Sequence, residues 1–196
     1  MFKMKRFATA SCAETVGAPS PFDAPSGARE SFQLRIRPAV VEDAEAIAAI
    51  YAPYIESTVI TFEEAPVSAE VMAARVTEIT ARYPWLVACA GSEVIGYAYG
   101  APWRTRSAFA QTAETSIYLR PDAQGNGAGR RLYAALLEAL RTRGFRVAIG
   151  AIALPNAASQ ALHARLGFNC VGRHVGVGFK LGRHVDLEFW QCALTP

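Results

Sequence analysis

The segment "RPDAQGNGAGRRLYAALLEALRTRG", residues 120–144, sets Gly125, Gly127 and Gly129 at alternate positions ahead of an amphipathic run. Glycines let successive backbone N–H groups turn toward one point, and a helix start adds the positive end of its dipole. The chemistry that combination serves is anion binding, above all phosphate binding. Spacing excludes two nucleotide motifs. A Walker loop needs G-x-x-x-x-G-K-[ST], whereas here Arg130 and Arg131 follow the last glycine and no Ser or Thr is placed to hold magnesium. A dinucleotide fingerprint needs G-x-G-x-x-G with an acidic residue about twenty positions on, and neither is present. What remains is Q-x-x-G-x-G opening a helix, with Gln124, Gly127 and Gly129 in the pattern and Arg130 and Arg131 adding charge. The loop alone is equally compatible with a glycine-rich turn that holds nothing.

The elements around the loop read clearly. "FQLRIRPA" alternates Leu34 and Ile36 with Arg35 and Arg37, a short strand stopped by Pro38. "VEDAEAIAAIYAPYIES" places Ala46, Ile47, Ile50, Tyr51 and Tyr54 on one helical face, and Pro53 is expected to end or kink that helix. "SAEVMAARVTEITARY" is a second helix capped by Ser68. "WLVACAG" and "EVIGYAYGAPW" form a hairpin about Gly91 and Ser92. "AETSIYLRP" is a strand with Ile117 and Leu119 on one face, and the loop helix follows with Leu132, Leu136 and Leu140 as its stripe. "FRVAIGAIALP" reads as a strand buried on both faces. "NAASQALHARLGF" is a short helix capped by Asn156 and stopped by Gly167. Two strands, "NCVGRHVGVGF" and "HVDLEFWQCAL", end the chain. The order β-α-α-β-β-β-α-β-α-β-β describes one mixed α/β domain over residues 33–196, without internal repeats.

Composition narrows the class further. The chain has 196 residues, 52% of them hydrophobic and 19% charged, with a net charge of +3. Its Lys and Arg are scattered, which speaks against nucleic acid as a partner, and no apolar run is long enough to span a bilayer. Cys12, Cys89, Cys170 and Cys192 form no C-x-x-C pair or zinc spacing, so no metal site is expected. Scattered thiols suit a reducing, cytoplasmic compartment. Residues 1–32 are rich in Pro, Ser, Gly and Ala, lack an apolar signal segment, and read as a flexible extension.

The glycine motif, "LPNAASQALHARLGF", "IRPAVVEDAEAIAAIYAPYIESTVITFEE", "GYAYGAPWRTRSAFAQTAETSIYL" and "GFKLGRHVDLEFWQ" together resemble the GNAT superfamily of acyl-coenzyme A dependent N-acetyltransferases. Within it the chain is similar to the phosphinothricin N-acetyltransferases and their methionine sulfoximine-acetylating relatives. The resemblance runs from about Leu34 to the end. It implies a GNAT fold: a mixed, mostly antiparallel central sheet flanked by helices. It also implies acetyl-CoA as co-substrate, a small-molecule amine as acceptor, and a homodimer. Gln124, Gly125, Asn126, Gly127, Ala128, Gly129 and Arg130 correspond to the pyrophosphate cradle. The backbones of Ile117, Tyr118 and Leu119, and the side chain of Asn156, correspond to the groups that meet the pantetheine arm. Many GNAT enzymes carry a proton-donating Tyr where this chain has His163, and the phosphinothricin branch also has His there.

An amine acceptor must lose a proton before it can attack a thioester, so the site needs a base and an oxyanion donor. By resemblance Glu114 is the base, with His163 as its partner. A carboxylate in a semi-apolar cleft has its pKa raised toward neutrality, and imidazole titrates in range already. Arg106 and Phe109 in "RTRSAFAQTAE" match the acceptor-binding segment, with Phe62 of "TFEE" across the cleft; an Arg fork suits a carboxylate with a phosphinate or sulfone. Lys180 and His184 are weaker candidates in the same role. With no Cys near Glu114 in sequence, direct transfer in a ternary complex is expected. Two other readings stay open: an acceptor that is a protein N-terminus or polyamine, and a non-catalytic acyl-CoA sensor.

Overall fold

The computed structural model describes residues 34–194; the expected extension of residues 1–32 lies outside them. The elements run β1 (Leu34–Pro38), α1 (Ala44–Ser57), α2 (Ala69–Thr80), β2 (Trp85–Ala90), β3 (Glu93–Pro102), β4 (Thr112–Leu119), α3 (Ala128–Thr142), β5 (Val147–Ala153), α4 (Ala157–Arg165), β6 (Asn169–Lys180) and β7 (Arg183–Ala193). Seven strands form one sheet in the order β1-β2-β3-β4-β5-β7-β6. Every neighbouring pair is antiparallel except β4 and β5. The mixed α/β expectation and its mostly antiparallel sheet are borne out.

Each face of the sheet is covered because each has helices with a matching apolar stripe. On one face Leu132, Leu136 and Leu140 of α3 are fully buried against Ala98, Ala113 and Ala148, with Leu162 and Leu166 of the α4 segment beside them. On the other face Ile47, Ile50 and Tyr51 of α1 and Met72 and Val76 of α2 pack on Trp85, Val87 and Tyr97. Ser68 caps α2, its Oγ accepting from the Val71 N–H at 3.3 Å.

Pro53 neither ends α1 nor begins a loop: the helix continues to Ser57. Proline removes one backbone N–H there, but the final turn is held by tertiary contacts. Ile55 is buried, and the Tyr54 ring packs edge-on to Tyr118 of β4 at 5.1 Å. Packing outweighs the local preference.

The parallel pair β4–β5 positions the site. Its pairing runs from Thr112 opposite Val147 to Thr115 opposite Gly150 and then stops, although β4 continues to Leu119 and β5 to Ala153. The two strands part there, leaving a fork whose inner edges are not joined by ladder hydrogen bonds.

Candidate active site

The fork opens into a cleft of about 400 Å³. Thr115 to Leu119 of β4 form one wall and Ala151 to Ala153 of β5 the other, with Asn156, Ser159, Leu162 and His163 of the α4 segment behind and Tyr54 and Ile60 in front. Gln124, Gly125, Gly127, Gly129 and Arg130 lie at the Leu119 end. From Leu119 back to Thr115 is four strand residues, roughly 13 Å at ~3.3 Å each.

At the glycine end, Gly125 and Gly127 have φ of +78° and +85°, a left-handed backbone that L-residues adopt only under strain. A Cβ on either would meet nothing within 4 Å, so conformation, not space, requires glycine there. Gly129 serves another purpose. Its missing Cβ would lie 2.9 Å from Leu119 Cδ1, so it lets α3 sit close on β4. Gly127 caps α3, leaving the helix's first N–H groups beside the cleft. The exposed Asn126 side chain accepts locally from the Ala128 N–H at 3.0 Å, and Ala128 is buried. Neither of these two lines the cleft. Arg130 does, whereas Arg131 donates to the Leu34 carbonyl at 3.3 Å and adds no charge to the cleft.

Ile117 and Leu119 turn toward α3, as the alternation predicts. The Tyr118 ring is on the opposite face among Tyr51, Tyr54 and Tyr97, so only its backbone serves the cleft. Asn156 caps α4 by accepting from the Ser159 N–H at 3.1 Å while lining the cleft. Tyr54, read from sequence only as core, donates to the Leu119 carbonyl at 2.6 Å and accepts from Gln124 Nε2 at 3.0 Å. Its 65-residue separation from Leu119 leaves no local signal.

Glu114 and His163 are not brought together. Thr115 Oγ1 lies 2.7 Å from the Tyr133 hydroxyl, and that hydroxyl lies 2.9 Å from His163 Nε2, so His163 is on the Thr115 face of β4. Successive strand side chains alternate, so Glu114 faces the other way, toward the α1–α2 side. Glu114 and His163 thus lie toward different faces of β4, and no hydrogen bond joins them among the described residues. Both nitrogens of His163 have protein partners, the second being the Ser159 carbonyl at 2.8 Å from Nδ1. Burial pushes the imidazole below its ordinary pKa, with the Ser159 contact opposing.

Glu114 is half-buried, and burial raises its carboxyl above the ordinary range; the Arg104 guanidinium opposes this electrostatically. Among the described residues no side chain hydrogen-bonds to Glu114. Arg104 lies over the Trp103 ring at 4.1 Å. Arg106 is exposed at the start of a short 3-10 turn that carries Phe109, itself 38% exposed. Phe62 is 39% exposed, with its ring against Gly178 of β6. No ring contact or hydrogen bond joins Phe62, Arg106 and Phe109 to one another among the described residues. The guanidinium that acts on Glu114 is that of Arg104, two residues before Arg106.

Lys180 is buried, and its Nζ donates to the Thr61 carbonyl at 2.8 Å, so it holds the segment after α1 and is not a free contact for an acceptor. His184 packs on Phe179. Among the described residues no three His, Cys, Asp or Glu side chains gather as a metal site, and no helix is long and apolar enough to cross a membrane.

A narrow cleft between parted strands, with apolar walls from Ile117, Ile152 and Leu162 and a glycine-opened helix start at one end, suits a long thin ligand ending in phosphates. The sequence pattern of the acetyltransferase (GNAT) family matches residues 46–168, which hold this fork and its loop. The chain belongs to the GNAT acetyltransferase family. This GNAT enzyme is 43% identical over 166 residues to the L-methionine sulfoximine/L-methionine sulfone acetyltransferase of Pseudomonas paraeruginosa, covering 82% of this chain and 95% of that one. It is 35% identical to the phosphinothricin N-acetyltransferase of Streptomyces coelicolor, over 83% of this chain and 97% of the relative. Its fold superposes with a TM-score of 0.79 on the GNAT superfamily phosphinothricin acetyltransferase of Sinorhizobium meliloti, solved in complex with acetyl-CoA; the two are 40% identical over 82% and 88% of their lengths. The GNAT enzyme described here is thus an acetyl-CoA-dependent N-acetyltransferase.

Proposed function

We propose that the enzyme transfers acetyl from acetyl-CoA to the α-amino group of a small amino-acid-like acceptor such as phosphinothricin, methionine sulfone or methionine sulfoximine. The observation that carries this reading is the agreement of two relatives named for such compounds, each matched over nearly its whole length. The exposed loop bearing Arg104 and Arg106 supports it, since guanidinium forks suit the carboxylate and oxyanion of these acceptors. Phe62 and Phe109 supply apolar walls. The glycine loop, Arg130 and the α3 start hold the pyrophosphate, with Asn126 and Ala128 shaping the turn. The backbones of residues 117–119 and the Asn156 side chain meet the pantetheine arm.

Glu114 takes the ammonium proton. Its raised pKa makes it a better proton acceptor than an ordinary surface carboxylate, and the Arg104 guanidinium opposes the rise. Transfer is direct: of the described cysteines, Cys89, Cys170 and Cys192, none lines the cleft. Free thiols also suit a cytoplasmic place of action. A thiol-release assay with acetyl-CoA and phosphinothricin, methionine sulfone, methionine sulfoximine or short peptides tests the reading. The amino-acid analogues should be turned over at least 100-fold more efficiently than peptides. Preference for peptides would transfer the function to protein N-termini.

The enzyme acts as a homodimer. The strand β6 at the end of the sheet exposes Val171, Val175 (81% exposed), Val177 and Phe179, a run of apolar side chains that water favours covering. Val175→Glu with Phe179→Glu is expected to halve the mass seen by light scattering. A wild-type protein that already runs as a monomer contradicts the dimer.

A further inference from the structure

Where β4 and β5 part, groups from four elements meet in one buried line. Thr115 is the last β4 residue paired with β5, opposite Gly150. Its Oγ1 donates across the strands to the Ile149 carbonyl at 3.0 Å and lies 2.7 Å from the Tyr133 hydroxyl of α3. That hydroxyl lies 2.9 Å from His163 Nε2 on α4, and Nδ1 of the same ring lies 2.8 Å from the Ser159 carbonyl. Tyr133 is fully buried, and Thr115 and His163 nearly so. The Nε2–Cδ2 edge of the His163 ring also lies against Gly150: a Cβ there would clash with Nε2 and with Cδ2, 2.7 Å away.

The hydrogens give this line a direction. Carbonyl oxygens only accept, so Nδ1 carries a hydrogen toward Ser159. In the neutral ring Nε2 then accepts from the Tyr133 hydroxyl, and the Tyr133 oxygen can accept only from Thr115. The single Thr115 hydrogen is shared between Tyr133 and the Ile149 carbonyl. Each member is thereby oriented by the next, and the line ends on the Ile149 carbonyl of β5 and the Ser159 carbonyl of α4. Two strands that have stopped pairing have no ladder to set their separation, and this line crosses them at their last paired residues.

We propose that Tyr133 and Thr115 are positioning residues for the acetyl donor: through His163 they pin the fork and set the width of the cleft at its narrow end. The proposal rests on the cleft being the acetyl-CoA site. Neither residue needs to touch the donor; their work is to hold His163 against Gly150 and Thr115 against β5.

The test uses Tyr133→Phe, Thr115→Val and the conservative Thr115→Ser. Coenzyme A binding is measured by calorimetry, KM is measured separately for acetyl-CoA and for methionine sulfone, and thermal melts are followed on the same preparations. Tyr133→Phe and Thr115→Val should raise the coenzyme A Kd and the acetyl-CoA KM at least fivefold while the methionine sulfone KM stays within twofold. Thr115→Ser, which keeps the hydroxyl, should return both donor values to within twofold of wild type. If Tyr133→Phe does not fold, the Thr115 pair decides alone. Donor values within twofold in the Phe and Val variants, or donor and acceptor KM rising together, would overturn the proposal. Wild-type enzyme that fails to bind coenzyme A would instead remove the reading of the cleft on which it rests.

Discussion

Glu114→Gln is expected to lower kcat by about 10²–10⁴-fold, the usual contribution of a placed general base, while leaving the acetyl-CoA KM nearly unchanged. Glutamine keeps the shape and a hydrogen-bonding end but cannot take the ammonium proton. The donor cleft should not register the change, because Glu114 projects from the opposite face of β4 to the one that packs on α3. Two pH effects follow from the direction of the shift, since burial raises the Glu114 carboxyl above its ordinary range. The wild-type rate should rise with pH through that raised pKa, and this limb should vanish in the Gln variant. Stability moves the other way. A carboxyl whose pKa is higher folded than unfolded supports the fold while protonated, and that support is lost as pH rises through the folded pKa. Glu114→Gln should therefore melt at a higher temperature than wild type at alkaline pH, and the gain should shrink toward acid. Full activity in this variant would remove Glu114 from the chemistry.

Gly127→Val is expected to weaken coenzyme A binding by roughly 5- to 30-fold. Gly127 has φ of +85° at the start of α3. A residue with a Cβ pays about 1–2 kcal/mol in that region, and each 1.4 kcal/mol is about tenfold in affinity. In the free protein the loop can relax, since α3 is anchored further along by Leu132, Leu136 and Leu140. Binding must then restore the strained turn, so the penalty falls on affinity and little of it on the melting temperature. Calorimetric titration with coenzyme A reads it directly. Affinity unchanged from wild type would mean that the turn is not the phosphate cradle.

The elements were legible because each carried a local signal: alternation in β1 and β4, the leucine stripe of α3, the Ser68 and Asn156 caps. Pro53 does not end α1 despite a strong local rule, because the last turn is held from far along the chain, as by Tyr118 against Tyr54, 64 positions away. The glycine-rich turn before α3 was legible, yet the separate duty of Gly129, close packing on Leu119, could be seen only once α3 lay on β4.

Ile117 to Leu119, the glycines, Asn156 and His163, singled out in the sequence, line one cleft, whereas Phe62, Arg106 and Phe109 do not line it. Alternation from Ile117 and Leu119 already implies that Glu114 lies on the other face of β4. What no local pattern discloses is the face on which α4 packs, and hence that His163 meets Tyr133 and not Glu114. Tyr54 and Lys180 each join segments more than 60 residues apart, to Leu119 and Thr61. Tyrosine suits core and surface alike and lysine points to the surface, so neither type discloses these contacts. Arg104 and Arg106 are two residues apart in one exposed loop, and only the folded chain shows that Arg104 acts on Glu114.

Mass spectrometry of the acceptor after incubation of the full chain with acetyl-CoA and methionine sulfone tests the central claim most directly. The account predicts one acetyl group on the amino nitrogen and one free coenzyme A thiol for each acceptor modified. Thiol release with no acetylated acceptor, or no reaction with methionine sulfone, methionine sulfoximine or phosphinothricin while a peptide is acetylated, would contradict it.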